Sequence, residues 1–244
     1  MRASVAIVVA LAACEPTLPP PQLPPLVATA PRLEPMQVSE LMLPIGETMI
    51  WDVHVDGITI GRVELASGPK EIHSKFKTGQ LASMLAVAKH DATTAIDRST
   101  VRPLAISEVL QIDTEVTRAN AELDGASVVV AKARTSMPGG QVAQTLHTAL
   151  GHMRAWVSIA ARPGFLFVIH MGEVYRLDIG RPSPSEVAGR RALKVECRAG
   201  VYKSKADPIT MKVWLSADAR RVPLRIEVTV NTLHLTAELI EHNK

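Results

Sequence analysis

A mainly β fold, with a curved antiparallel sheet or open β-barrel packed around one main helix, is predicted by three features of this sequence. Short segments in which apolar and polar residues alternate recur from Gly46 onward, and each is typical of a half-buried strand. Turn signals such as Asp56-Gly57 and Asp124-Gly125 separate these segments. Only one long segment has the apolar period of a helix, so the alternation of strands and helices that marks a parallel sheet is missing.

The first 13 residues have the features of an export signal. Arg2 supplies a positive charge, and residues 3–10 form an apolar run too short to span a bilayer. Leu11-Ala12-Ala13-Cys14 resembles the lipobox of bacterial lipoproteins. The resemblance implies a signal peptide at 1–13, cleavage before Cys14, and attachment of palmitate-like acyl chains that anchor Cys14 in a membrane. By the same resemblance, Glu15 in place of aspartate implies the outer membrane, with the protein facing the periplasm.

A proline-rich tether is predicted for residues 14–45, followed by a single β-rich domain at 46–244. Nine prolines lie between Pro16 and Pro44. Proline lacks an N–H group and fixes φ, so this stretch is expected to be an extended spacer that packs neither as helix nor as sheet. A ligand for a proline-recognition module is the alternative interpretation of the same composition.

The charge, the aromatic content and the cysteine count of the chain limit which partners and which disulfides are expected. The net charge is +3, no basic run is long, and aromatic residues make up 3% of the chain, so nucleic acid is not expected as a partner. With Cys14 carrying lipid, Cys197 has no second cysteine to pair with. Cys197 shares a strand face with Leu193 and Val195, which predicts a small buried apolar residue and not a reactive thiol.

The expected elements follow in chain order. Residues 81–88 form a short apolar run of helix-forming residues, and Pro138-Gly139-Gly140 is a clear break. The expected strands are 49–55, 59–65, 71–77, 106–112, 114–123, 127–133, 165–171, 173–179, 191–197, 210–215, 224–230 and 233–240.

The main helix is predicted from a stripe of apolar residues that ends before Pro163-Gly164. Its members are spaced 4, 3, 4 and 3 residues apart: Leu146, Leu150, Met153, Val157 and Ala160. His147 and His152 lie five residues apart on this helix and therefore point about 140° apart, so they cannot share a metal ion. His170 and His234 fall in expected strands as lone histidines. No metal site and no cofactor are expected.

The segment before the last two strands has the chemistry of a hairpin. Residues 216–221 are polar and turn-like between two apolar strands. Asp218 is expected to accept hydrogen bonds from turn amides, and Arg220 or Arg225 is expected to pair with Asp218 or Glu227. A structural role for this hairpin is favoured over a binding site.

Two segments resemble an uncharacterised bacterial family known as domain of unknown function 3108. They are Gly46-Glu47-Thr48-Met49-Ile50-Trp51-Asp52-Val53, followed by Gly57 and Gly61, and Val213-Trp214-Leu215-Ser216-Ala217-Asp218-Ala219-Arg220-Arg221-Val222-Pro223-Leu224-Arg225-Ile226-Glu227. Residues 95–103 and 146–154 occupy places where the family has similar pieces. Ala217 departs from the family's common acidic residue, and aromatic residues are missing before Arg154. The resemblance implies an exported, β-rich domain with no established reaction.

Function remains open between three classes. The first is a non-catalytic module that binds a lipid or other apolar ligand in a groove lined by Met49, Trp51, Leu150, Met153 and Val157. The second is a structural lipoprotein that docks another envelope protein. The third and least favoured is a hydrolase, because the sequence lacks G-x-S-x-G, H-E-x-x-H, phosphate-loop and C-x-x-C motifs. We expect no catalytic residues. A deep apolar cleft favours the first class, and a closed, filled barrel interior favours the second. A buried cluster of serine, histidine and an acid favours the third.

Overall fold

The computed structural model describes residues 33–80, 82–84, 86–159, 162–204 and 206–244. Within them the chain forms 17 β-strands and one α-helix, α1 (Leu146–Ile159). The strands are β1 (Glu34–Pro35), β2 (Thr48–Val55), β3 (Ile58–Ser67), β4 (Glu71–Thr78), β5 (Ala88–Asp97), β6 (Arg102–Ile112), β7 (Glu115–Asp124), β8 (Ser127–Val130), β9 (Ala133–Ser136), β10 (Ala143–Thr145), β11 (Gly164–His170), β12 (Glu173–Ile179), β13 (Ser183–Val187), β14 (Arg190–Val201), β15 (Ile209–Ser216), β16 (Pro223–Val230) and β17 (Leu233–Asn243).

All the strands belong to one sheet. Chain neighbours from β2 to β9 pair as antiparallel hairpins, and β14 to β17 do the same. The pairing of β17 with β2 joins the two halves of the sheet. β12 and β13 both pair with the same edge of β14, one after the other along its length. In the same way, β1 and β10 both pair with one edge of β11, and both run parallel to β11. The mainly β, curved-sheet prediction is therefore confirmed.

The sheet stays open at a seam between its two ends. β10 lies against β6, but no ladder of backbone hydrogen bonds joins the two strands among the described residues. Side chains close the seam instead: Phe167 and Ile169 of β11 pack with Ile106 of β6 and Leu123 of β7. The hydrogen-bonded ladder is therefore open at the seam, and apolar side chains bridge the gap.

The antiparallel pairing places the connections at two rims. We call the rim with the turns at 56–57, 113–114 and 231–232 the distal rim. The opposite rim has the connections at 68–70 and 98–101, and β1 also lies there, so we call it the proximal rim. α1 begins near the distal rim, directly after β10, and returns to the proximal rim before β11.

α1 lies inside the curve of the sheet and is buried on nearly all sides. The stripe predicted for it is only partly correct, because Leu146 is 47% exposed and Ala160 lies outside the described residues. Conversely, the polar residues His147, His152 and Arg154 are buried. Because the sheet surrounds most of α1 and only residues at its two ends are exposed, the apolar stripe alone underestimates the burial of the helix.

The compact unit begins at Leu33, earlier than the expected boundary at Gly46. Leu43 has no exposed surface, and Leu41 and Met36 pack against buried clusters. Pro35 pairs with Phe165 through β1. Residues 33–45 therefore pack on the domain despite their prolines, because their apolar side chains find a place beside α1. The predicted signal peptide and Cys14 lie outside the described residues.

Other differences from the expected elements have local causes. β5 was not expected, because its buried positions are occupied by small or polar residues such as Ala92 and Thr94 and give little apolar signal. The run at 81–88 contains only a short 3-10 turn, Ala82–Met84, among its described residues. The strand expected at 127–133 divides at a turn formed by Ala131 and Lys132, which both have positive φ. No helix in the described part of the chain is long and apolar enough to cross a membrane.

Candidate functional site

The five residues expected to line an apolar groove lie in packed core. Met49 and Trp51 belong to one buried cluster, against which the half-buried Leu150 packs, and Met153 and Val157 belong to a second cluster. Met49 has no exposed surface, and Trp51 donates a hydrogen bond to the carbonyl of Pro223. The five residues are therefore divided between two packed clusters.

The N-terminal segment fills the space that such a groove would need. Gly151 faces this segment, and a Cβ atom added there would lie 2.4 Å from Cδ1 of Leu41 and 3.2 Å from Cγ of Leu43. The absence of a side chain at Gly151 therefore lets residues 41–43 pack directly on the helix. This contact could not be foreseen from a segment whose prolines predict an extended spacer.

A buried ion pair joins α1 to the sheet. The guanidinium of Arg154 donates to both carboxylate oxygens of Glu47 at 2.8 and 2.9 Å, and also to the carbonyl of Arg220. Both side chains are at most 2% exposed, and His242 contacts the same carboxylate at 2.9 Å. Burial raises the pKa of Glu47, but the contacts with Arg154 and His242 outweigh it and lower the pKa below its usual value.

This ion pair connects the segments that carry the family resemblance. Glu47 lies in the opening segment, Arg154 ends the helical piece, and Arg220 lies in the closing hairpin. The hairpin prediction is confirmed: Arg220 pairs with Asp218 at 2.9 Å, and Arg225 pairs with Glu227 at 2.8 Å. Asp218 also accepts the amide of Arg220 and so closes the turn. The role of these residues is structural.

A half-buried serine and a buried histidine lie close enough to raise the question of hydrolysis. Oγ of Ser74 is 2.8 Å from Nε2 of His147, but the other ring nitrogen meets the hydroxyl of Thr94 and not a carboxylate. Burial lowers the pKa of His147 to about 4, which makes the ring a weak base at neutral pH. The pair lacks the acid that orients and strengthens a catalytic base.

Cys197 is a buried apolar residue, as predicted. It lies in the cluster that packs on α1, and burial raises the pKa of its thiol to about 12. The thiolate that a nucleophile requires is therefore absent at neutral pH.

A cavity opens at the seam, next to the proximal rim. It has a volume of about 330 Å³ and lies between the N-terminal segment, the β5–β6 turn, the break at 138–140 and α1. Its lining combines apolar side chains with buried polar ones: Met36, Val38, Val101, Val142, Phe165, Leu166, Gln144 and His152.

Two buried acceptor atoms in this lining have no partner among the described residues: Oε1 of Gln144 and Nε2 of His152. Burial lowers the pKa of His152 to about 4, and a hydrogen bond to the backbone of Val101 acts in the opposite direction. The ring is neutral at pH 7. Because Nε2 has no partner, we assign this hydrogen bond to Nδ1–H, which leaves a lone pair on Nε2. The sequence contains no signal for Gln144 as a cavity residue, and it indicates for His152 only that this residue cannot share a metal ion with His147.

Solved structures show which fold this is. The chain resembles a β-barrel-like protein of domain of unknown function DUF1849 from Brucella abortus, with a TM-score of 0.57, 12% identity, and coverage of 82% of this chain and 97% of that one.

The fold is β-barrel-like.

Two further similarities are weaker. A DUF1089 family protein from Pseudomonas aeruginosa matches with a TM-score of 0.40 and 10% identity over 66% of this chain and 86% of that chain. The Mycobacterium tuberculosis lipoprotein LppX matches with a TM-score of 0.27 and 9% identity over 82% and 87%. These TM-scores are too low to support an argument. No protein-family model and no curated protein matches the chain, so the resemblance to domain of unknown function 3108 stays a prediction.

Proposed function

We propose that this chain is a lipid-anchored protein of the bacterial envelope whose β-barrel-like domain binds a small ligand, without catalysis, in the cavity beside His152. The observation that carries this proposal is that two residues of the cavity lining, Gln144 and His152, each have a buried acceptor atom without a partner among the described residues, Oε1 and Nε2 respectively. A buried polar atom without a partner costs about 1–3 kcal/mol, and a bound donor removes that cost. The anchor is proposed from the lipobox-like segment at Cys14.

The chemistry of the wall defines the class of ligand. Two acceptors favour a molecule with hydroxyl or amide donors, and Arg102, which also lines the cavity, adds a cationic donor. Met36, Val142 and Leu166 supply apolar contact for the rest of the molecule. The ligand is therefore a small amphipathic molecule. The apolar ligand expected from the sequence becomes a partly polar one, because the expected groove is filled by residues 41–43.

Native mass spectrometry of the full-length protein, purified from its own envelope, tests this proposal. We expect a bound small molecule in the wild type and its loss in His152→Leu and Gln144→Leu, which remove the acceptors. Gln111→Leu is the matched control, because that half-buried side chain lies outside the cavity lining and donates a hydrogen bond to the carbonyl of Asp113. A wild type without such a molecule, whose melting temperature is also unchanged by a library of hydroxyl- and amide-bearing metabolites, means that the cavity holds only water.

Docking to another envelope protein is the second candidate function, and it is supported by exposed apolar residues at the distal rim. Ile58 is 71% exposed, Met84 81% and Leu233 37%. A photo-crosslinking residue in place of Ile58 is expected to give an adduct of one defined mass in cells. The same residue in place of Ile240, which is 49% exposed near the proximal rim, should give none. Equal crosslinking from both positions contradicts docking through the distal rim.

A further inference from the structure

Three side chains with metal-binding atoms converge near the distal rim: His90 on β5, Glu108 on β6 and His170 at the end of β11. The ligand atoms that they offer all lie within 4.8 Å of one another. Oε1 of Glu108 is 2.6 Å from Nδ1 of His170 and 3.7 Å from Nε2 of His90. Two imidazole nitrogens and one carboxylate oxygen form a donor set that proteins use for Zn²⁺ and related divalent ions.

The topology of the sheet produces this cluster. His90 lies opposite Leu110 in the β5–β6 ladder and Glu108 lies opposite Ala92, so His90 and Glu108 are diagonal neighbours on one face. His170 joins them because β11 folds across the seam against β6. His170 and Glu108 are 62 residues apart in sequence, so the three residues form no short sequence motif that would indicate a metal site.

Glu108 is the most deeply buried of the three side chains. Its side chain is 1% exposed, and its second oxygen accepts the backbone amide of Met171. A carboxylate in such a position is stable only when cations or hydrogen-bond donors surround it. The two histidines are the neighbours of the first oxygen, so the position is suited to hold positive charge.

His90 provides the independent observation. Its Nε2 atom is buried and has no hydrogen-bond partner among the described residues, since 3.7 Å is too long for a hydrogen bond to Glu108. The imidazole rings of His90 and His170 lie edge to face with centroids 5.7 Å apart. Nε2 therefore points toward the carboxylate without bonding to it, and an ion between them gives this atom a partner.

We propose that His90, Glu108 and His170 bind one divalent transition-metal ion, with Zn²⁺ as the ion that best fits two imidazoles and a carboxylate. Metal–ligand distances of about 2.0 Å place the ligand atoms of a tetrahedral site about 3.3 Å apart. The observed 2.6 and 3.7 Å lie on either side of this value, so shifts of less than about 1 Å assemble the site. His170 is 34% exposed, so solvent reaches this edge of the cluster. This site is separate from the cavity of the proposed function.

Metal binding to the full-length protein tests the proposal directly. Protein purified in detergent without a histidine tag is stripped with a chelator, given ZnCl₂, desalted and analysed for zinc by mass spectrometry, with affinity measured by competition against a chromophoric chelator. We expect one Zn²⁺ per chain in the wild type. His90→Ala and His170→Ala should each bind at least tenfold more weakly, because each removes one of three ligands. CoCl₂ in place of ZnCl₂ should give the intense visible absorption of a four-coordinate site.

Two controls keep this test decisive. His234→Ala removes an exposed histidine that contacts Thr229 and should bind Zn²⁺ as the wild type does. Glu108→Gln tests the third ligand but disturbs a buried carboxylate, so His90→Ala is the key variant: its Nε2 has no partner to lose, and its thermal melt without metal should match the wild type. A wild type that retains no zinc overturns the proposal, and so does zinc retained equally by His90→Ala and His170→Ala.

Discussion

At the scale of single residues, the most consequential contact is the buried pair of Glu47 and Arg154. It satisfies a charge on the inner helix and ties that helix to the start of β2 and to the closing hairpin. The family-like segments are distant in sequence, and this contact gives their residues one shared structural role.

Removal of one member of this pair is expected to cost far more than removal of an exposed ion pair. Arg154→Met leaves the Glu47 carboxylate buried beside His242 alone, and we expect a loss of about 3–5 kcal/mol in the free energy of unfolding. Arg134→Met is the control, because Arg134 and Asp124 are more than half exposed and their pair is worth about 1 kcal/mol or less. Urea denaturation measures both. Similar losses in the two variants would show that the inner pair is not structural.

Buried neutral histidines make the domain sensitive to mild acid. The pKa of His147 and of His152 is lowered to about 4 from an ordinary value of 6.5, so the unfolded chain binds protons first as pH falls. Stability is therefore full above about pH 6.5 and is lost as the pH falls toward 4, by about 3 kcal/mol per histidine. Urea midpoints measured between pH 7 and 4.5 should decline, and His147→Gln should reduce the slope. A midpoint that stays constant over this range contradicts the prediction.

At the scale of elements, α1 is the centre of the core. Met153 is 4% exposed among apolar residues of the sheet, whereas Leu146 at the start of the same helix is 47% exposed. The two therefore form a matched pair on one element, equally apolar in sequence and opposite in environment.

An aspartate introduced at these two positions should have very different effects. Met153→Asp places an unpaired carboxylate in the core, and we expect a loss of several kcal/mol or an unfolded chain. Leu150→Asp should act in the same direction, and Leu146→Asp should change stability by less than about 1 kcal/mol. Thermal melts followed by circular dichroism compare the variants. If Met153→Asp melts like the wild type, α1 does not pack as the structure shows.

The N-terminal segment is the second element whose role is testable. An extended spacer at residues 14–45, as the prolines predict, would add little to the stability of the domain. Because Leu43 is fully buried and Leu41 packs on Gly151, we now expect deletion of residues 15–45 to lower the melting temperature by many degrees. Deletion of residues 15–32 alone is the control: it keeps Leu41 and Leu43 and removes only part of the spacer that the prolines predict, so we expect an unchanged melting temperature. Equal melting of both deletions would show that residues 33–45 do not stabilise the domain.

At the scale of the whole molecule, an open barrel with a filled interior leaves its rims and its seam for function. The cavity lies at the seam near the proximal rim, where the described chain begins, and the exposed apolar residues lie at the distal rim. An anchor at Cys14 would attach the chain to a membrane upstream of β1. The predicted membrane location is therefore relevant to both ligand binding in the cavity and docking through the distal rim.

Lipidation at Cys14 stays a prediction with a direct test. Cys14→Ser removes the sulfur that receives the lipid, so labelled palmitate fed to cells should enter the wild-type protein and not the variant. Fractionation should then move the variant out of the membrane pellet. Cys197→Ser is the matched control and should label as the wild type does, because Cys197 is buried in the domain. Equal labelling of Cys14→Ser and wild type contradicts the predicted anchor.

The sequence predicted the strands whose apolar residues alternate, and the hairpins between them, because both signals are local. Twelve expected strands have counterparts, and Asp218 and Arg220 pair in the closing hairpin as predicted. β5 was not predicted because small and polar residues such as Thr94 occupy its inner face and give no apolar alternation. The inner helix was found, but its full burial was not, since an apolar stripe indicates one packed side and α1 is packed on all of them.

The sequence by itself determined the class of the fold, the place of the main helix and the prediction of an anchor, since each depends on residues that are close in the chain. The tertiary structure alone decided what occupies the interior and which polar groups meet. Leu41 fills the expected groove, His152 and Gln144 line a cavity, and Glu108 meets two histidines from other strands. The physical reason is that hydrophobic periodicity specifies which face of an element is buried, whereas contacts between elements depend on register and on closure of the sheet.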